Sequence, residues 1–165
     1  NVGINWSSAP VIVSDCAVSE ESGTAILTIP KNRGANASLS TTAVDPTLVE
    51  QLSVRSVRLD DVLPEDAIVD LMKVDVEGHE YSVLRGAARV IDRSPQIKII
   101  LEWSIGQMKA AGILPTLVRD YFEEKSMRPF RASASSILMP EQNLLEWDEL
   151  LRTNYANILL FRHKS

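Results

Sequence analysis

The sequence predicts an α/β fold with a doubly wound, mostly parallel sheet, and three observations predict it. Strand-like and helix-like segments alternate through the centre of the chain at βαβ spacing, which places helices on both faces of a sheet. The segment Ile97-Lys98-Ile99-Ile100-Leu101 is nearly continuous in apolar residues, as a strand covered on both faces is. Chemically active side chains follow such strands directly, where the ligand crevice of an open α/β sheet lies.

Each element has its own warrant. Residues 1–10 read as the end of a helix or loop. Val11-Ile12-Val13 is a short run of β-branched residues, and Thr24 to Ile29 is a second, closed by Pro30. The polar stretch Ser19-Glu20-Glu21-Ser22-Gly23 between them is a turn signal, so two strands around a turn are expected. Residues 31–45 read as a loop. Asp45-Pro46 can start a short helix, with Asp as N-cap and Pro in the first turn. Val54 to Leu59 alternates apolar and polar residues, as a half-buried strand does. Ile68 to Val76 is a mostly apolar strand. Leu84, Ala87, Ala88 and Ile91 recur at i, i+3, i+4, i+7 and form one helix face, which Pro95 ends. The buried strand Ile97–Leu101 follows. Pro115 opens a further helix with Leu117, Val118, Tyr121 and Phe122 on its core side. Ile158-Leu159-Leu160-Phe161 is the final strand.

Composition bounds the function. The 165 residues amount to one domain. Seventeen Lys and Arg stand against 22 Asp and Glu, a net charge of -5, which argues against a broad basic face for nucleic acid. No apolar run approaches the roughly 20 residues of a membrane helix. The single cysteine, Cys16, excludes an intrachain disulfide framework and fits a reducing, cytoplasmic location. The chain starts at Asn1 with no signal-peptide pattern.

The densest chemistry lies in Met72-Lys73-Val74-Asp75-Val76-Glu77-Gly78-His79-Glu80. In an extended chain Asp75, Glu77 and His79 share a face. Gly78 permits a sharp bend between strand and helix. Glu80, at the helix start, reads as a capping or solvated acid. His79 beside carboxylates is a catalyst or a hydrogen-bonded structural residue. Asp75 emerges from an apolar strand, which is costly unless it is hydrogen-bonded, solvated or used. Glu102 and Trp103 follow the next strand, and Asp15 and Cys16 follow the first apolar run.

Lys73 to Glu80, followed by Val83-Leu84-Arg85-Gly86-Ala87, resembles the central motif of the FkbM-type methyltransferases. Three flanking features match the same pattern in order. They are Val57-Arg58-Leu59-Asp60-Asp61-Val62-Leu63, Cys16-Ala17-Val18-Ser19 with Gly23 as a hairpin, and the strand Ile97 to Glu102 ending in its acid. The likeness runs from about residue 11 to residue 105. It implies a class I methyltransferase (Rossmann-like) fold, S-adenosylmethionine as cofactor, and methyl transfer to a hydroxyl of a sugar, glycolipid or polyketide-like acceptor. The family's Gly-rich cofactor loop and its acidic ribose contact have no counterpart here. Residues 1–165 are therefore expected to form a single partial methyltransferase domain lacking its first strands. Weak cofactor binding by this chain alone and an exposed, self-associating sheet edge follow.

The resemblance implies catalytic roles for Asp75, His79, Glu77 and Glu102. Asp75 is the base or the orienter of the acceptor, and His79 is the alternative base. Glu77 orients His79 or lines the pocket, and Glu102 holds the acceptor. Asp15, Cys16 and Asp75 are the cofactor-binding candidates. The competing enzyme reading is a divalent metal on Asp75, Glu77, His79 and Glu80, since hard oxygen ligands suit Mg or Mn. No His-Glu-x-x-His is present and His163 lies far away, which speaks against zinc. Gly-x-Ser-x-Gly is absent as well. The non-enzyme reading is a partner-binding module or a degenerate remnant. Trp6, Trp103 and Trp147 are scattered, and core packing or pocket lining explains them better than base stacking.

Overall fold

A computed structural model describes residues 11–31, 37–39, 45, 47–132 and 143–162. The expectations for residues 1–10, including Trp6, for Pro46 and for His163 lie outside the described residues. The described chain is a mixed α/β structure with two sheets. The first contains β1 (Cys16–Val18), β2 (Gly23–Pro30) and β3 (Val49–Val57), in the order β1-β3-β2. The second contains β4 (Leu71–Val74), β5 (Lys98–Ser104), β6 (Arg128–Arg131) and β7 (Tyr155–Phe161), in the order β4-β5-β7-β6. The helices are α1 (Leu59–Val62), α2 (Glu80–Gly86), α3 (Ala88–Arg93), α4 (Ile105–Ala110), α5 (Pro115–Glu124) and α6 (Trp147–Leu150).

Strand direction departs from the expected mostly parallel sheet. β1 with β3 and β4 with β5 are parallel, whereas β2–β3, β5–β7 and β6–β7 are antiparallel. The parallel pair β4–β5 is joined through α2 and α3, the crossover that parallel strands require. β7 lies between β5 and β6 and runs against both. Its apolar run Ile158-Leu159-Leu160 is buried, and such a run carries the same pattern in either direction.

The amino-terminal strands also differ. Val11, Ile12 and Val13 form no strand and are exposed, Ile12 to 90%. The strand begins at Cys16, so Asp15 precedes it and Cys16 opens it. β1 and β2 do not form a hairpin with each other, because β3 lies between them and supplies the partners Arg55, Ser56 and Val57 to β1. β3 starts earlier than expected and ends before Leu59, which begins α1. Asp45 accepts a hydrogen bond from Thr47 N at 2.9 Å and from its hydroxyl at 2.7 Å, an Asx-type turn that holds its carboxyl below the usual range.

The core sits on the four-stranded sheet. Ile99, Leu101 and Trp103 of β5 are fully buried, while the alternate residues Ile100, Glu102 and Ser104 are only half-buried. β5 is thus not covered equally on both faces, and Glu102 lies on the less covered one. Trp103 is core rather than site lining, and its Nε1 donates to Leu150 O at 3.0 Å. Trp147 stacks on Phe122 with ring centroids 6.2 Å apart. Leu84, Ala87 and Ile91 are buried as the periodicity demands, with the helix broken at Ala87 into α2 and α3. On α5, Val118, Tyr121 and Phe122 face the core, but Leu117 is exposed. Five residues of the expected strand Ile68–Val76 lie outside β4, which spans only Leu71–Val74.

Two anchors hold the centre to its neighbours. Asp60 of α1 is buried, and its carboxylate accepts from Arg89 N at 3.1 Å and Val90 N at 2.9 Å, the free amides opening α3. Gly86 ends α2 against the chain leaving β1, where an added Cβ would lie 2.0 Å from Ser19 O. That absence of a side chain lets β1 lie close to α2 and brings Cys16–Val18 over the end of β4.

Candidate functional site

The site is an elbow between β4 and α2. β4 ends at Val74, and the chain then reverses through Glu77 at φ 55° and Gly78 at φ 98°. Gly is required at 78 on two counts: the left-handed backbone, and Gln107 O, which would be 2.7 Å from a Cβ there. Glu80 secures the turn. Its Oε1 accepts from Val76 N at 3.3 Å and from Gly78 N at 3.1 Å, so this acid caps the elbow. It is buried rather than solvated, and burial raises its carboxyl above the usual range against the pull of those backbone amides.

The elbow breaks the strand alternation, so Asp75, Glu77 and His79 do not form one row. Asp75, Glu77 and Glu102 come together instead, each offering a carboxylate oxygen within 4.8 Å of the others. Lys73 Nζ forms a short ion pair with Asp75. Gln107 Nε2 of α4 donates a short hydrogen bond to Glu77 Oε2, and among the described residues no hydrogen bond lets Glu77 orient His79. Ser38 Oγ donates to Glu77 O at 3.0 Å. The Tyr155 hydroxyl lies close enough to the Glu102 carboxyl to favour its charged form. Burial raises the Glu102 carboxyl, Tyr155 pulls it down, and the negative charges of Asp75, Glu77 and Glu80 push it up again.

His79 belongs to a different part of the elbow. It is half-buried, burial lowers its imidazole below the usual range, and its charged neighbour is Glu20, which works in the opposite sense. Its carbonyl accepts from Val83 N at 3.2 Å, the first backbone bond of α2.

Asp75 and His79 nevertheless open on one cavity. It has a volume of about 330 Å³ and is walled by Cys16, Ala17 and Val18 of β1, Leu27 of β2, and Lys73 to Val76 with His79 and Val83. The lining is largely apolar with a few polar groups, the usual make-up of a small-molecule site. Cys16 is in this wall, half-buried and with a free thiol. Asp15 is exposed and is not among the lining residues. Glu77 and Glu102 stand beside the cavity, in the carboxylate group that shares Asp75 with it.

Sequence reasoning overlooked Lys73, Gln107 and Tyr155. Lys73 stands inside the quoted motif two residues before Asp75, which a strand places on the same face. Gln107 and Tyr155 arrive from distant segments. Tyr155 reaches Glu102 because the antiparallel register sets Asn157 opposite Glu102 and Tyr155 two residues further along the same face.

Residues 1–129 match a family model described as Methyltransferase FkbM domain. No curated protein and no solved structure matches the chain.

Proposed function

The chain belongs to the FkbM methyltransferase domain family, and from that premise we infer an O-methyltransferase that uses S-adenosylmethionine. The acceptor we propose is a hydroxyl of a sugar, glycolipid or polyketide-like molecule. The observation that carries the reading is the cavity itself: Cys16 from one sheet, and Asp75 with His79 from the elbow of the other, line one hollow.

The wall residues fit such a donor. Ala17, Val18, Val76 and Val83 offer apolar contact, and the Asp75 carboxylate can accept hydrogen bonds from hydroxyl or ammonium groups. When bound, the donor supplies an electrophilic methyl carbon on a sulfonium. The chain's own part is positioning and proton handling. An acceptor oxygen must be held about 3 Å from the reacting carbon and in line with the departing bond. Asp75 accepts the hydroxyl proton or orients the hydroxyl, and His79, in the same wall, is the alternative acceptor. Glu102, half-buried beside Asp75, binds a second acceptor hydroxyl. Cys16 packs against the donor, and Asp15, away from the cavity, takes no part.

We also infer that residues 1–165 form one domain. β7 lies beyond the matched region, yet it occupies the sheet between β5 and β6. Removing it would leave β6 without its partner.

Calorimetry of the natural polypeptide carrying this sequence with S-adenosylmethionine tests the proposal. Saturable binding is expected, and Ala17→Trp, which fills the cavity, should abolish it. No heat from the unaltered protein at millimolar donor would refute the cofactor assignment. Asp75→Asn should remove most turnover, a loss of roughly 100-fold or more for a displaced proton acceptor. Near-normal turnover would transfer the role to His79.

A further inference from the structure

We propose that Asp75, Glu77 and Glu102 bind a hard divalent cation of the Mg²⁺ or Mn²⁺ type. Two independent observations point there. The first is spacing. Three carboxylate oxygens from two elements, the β4 elbow and β5, lie within 4.8 Å of one another. Oxygens that share one cation at about 2.0–2.6 Å must be gathered this closely. The second is an unmet demand. Glu102 Oε2 is shut off from solvent and accepts no hydrogen bond among the described residues. The same is true of Gln107 Oε1, on the amide whose Nε2 donates to Glu77. Two shielded oxygens without a donor, beside three gathered carboxylates, lack positive charge rather than more acceptors.

The set differs from the one that the linear motif suggests. Glu80 is spent on the amides of Val76 and Gly78, and His79 is not among the gathered ligand atoms. Glu102, from the neighbouring strand, takes their place. An all-oxygen set selects Mg²⁺ or Mn²⁺ over zinc. Lys73 Nζ now neutralises part of the charge at Asp75, but its side chain is 61% exposed and free to leave by rotation. A cation here would stand beside the wall of the cavity, within reach of an acceptor oxygen. That consequence rests on the function proposed above, whereas the binding itself does not.

Mn²⁺ titration followed by electron paramagnetic resonance, with no methyl donor present, separates the two. One saturable Mn²⁺ per chain is expected. Glu102→Gln, close in shape and with one charge fewer, should weaken it by at least the roughly tenfold that loss of a mere supporting group costs. Lys73→Met, at an exposed position, should tighten it by removing the competing ammonium. No saturable binding at millimolar Mn²⁺ in either the unaltered protein or Lys73→Met would overturn the proposal. So would an unchanged affinity in Glu102→Gln. Either failure leaves the donor-binding result standing on its own.

Discussion

Tyr121 carries its hydroxyl into the core and finds one acceptor there, Leu84 O at 2.9 Å. Burial, with Asp92 and Asp60 adding negative charge, raises its ionisation well above the ordinary value of 10.0. The unfolded chain loses this proton near pH 10 and the folded chain keeps it. The contribution to stability is therefore fully present below pH 10 and is lost as pH rises further. Urea unfolding from pH 9 to 11 should show that decline, and Tyr121→Phe should flatten it. The same change costs about 1 kcal/mol at neutral pH, the usual net worth of one hydrogen bond. At this scale the sequence was legible where a residue's use is local. Glu80 reads as a capping or solvated acid from its place at a helix start, and its carboxylate holds the amides of Val76 and Gly78 just before that helix. It was less legible where the partner is remote: Glu77 stands two residues from His79 but takes its hydrogen bond from Gln107.

The elements are held by the same kind of device. The Leu59-Asp60-Asp61 turn has a structural task, because Asp60 supplies the acceptor that α3 needs at its amino terminus. Arg58 and Arg89 flank the carboxylate at 3.4 and 3.6 Å. Asp60→Ala should cost about 3 kcal/mol, since it leaves buried amides and a partly shielded arginine pair without their anion. Asp60→Asn should cost less, and chemical denaturation of both variants measures the difference. Element type was legible for β4, β5 and the helix face after the elbow, because periods of 3.6 and 2 are properties of a single segment, but Leu59, at the end of an expected strand, opens α1, and α4 was not expected. Element limits were not legible. Trp103 extends β5 by packing into the aromatic cluster, and Val11 to Val13 stay exposed and pair with no strand among the described residues. β6 escaped notice altogether: Arg-Pro-Phe-Arg has no alternation that a reader could recognise, and it becomes a strand by pairing with β7.

For the whole molecule, β4 is an outer strand of the four-stranded sheet among the described strands, and Leu71 on it is 58% exposed, with Ile68 nearby at 59%. An apolar sheet margin of this kind favours strand pairing between copies. Size-exclusion chromatography at two concentrations should show apparent mass rising with concentration, and Leu71→Lys should suppress the rise. A single monomer peak at both concentrations would contradict this. No helix among the described residues is long and apolar enough to cross a membrane. The sequence by itself determined the α/β class, the family and most of each helix face. All of these are written in short stretches whose residues answer to their immediate neighbours. Tertiary structure alone decided the direction of β7, the place of β3 between β1 and β2, and the company of Asp75. It set Glu102 and Gln107 around one elbow and gave His79 to the cavity that Asp75 also lines. The physical reason is that strand direction and side-chain meetings depend on contacts between remote segments, and periodicity within a segment is blind to them.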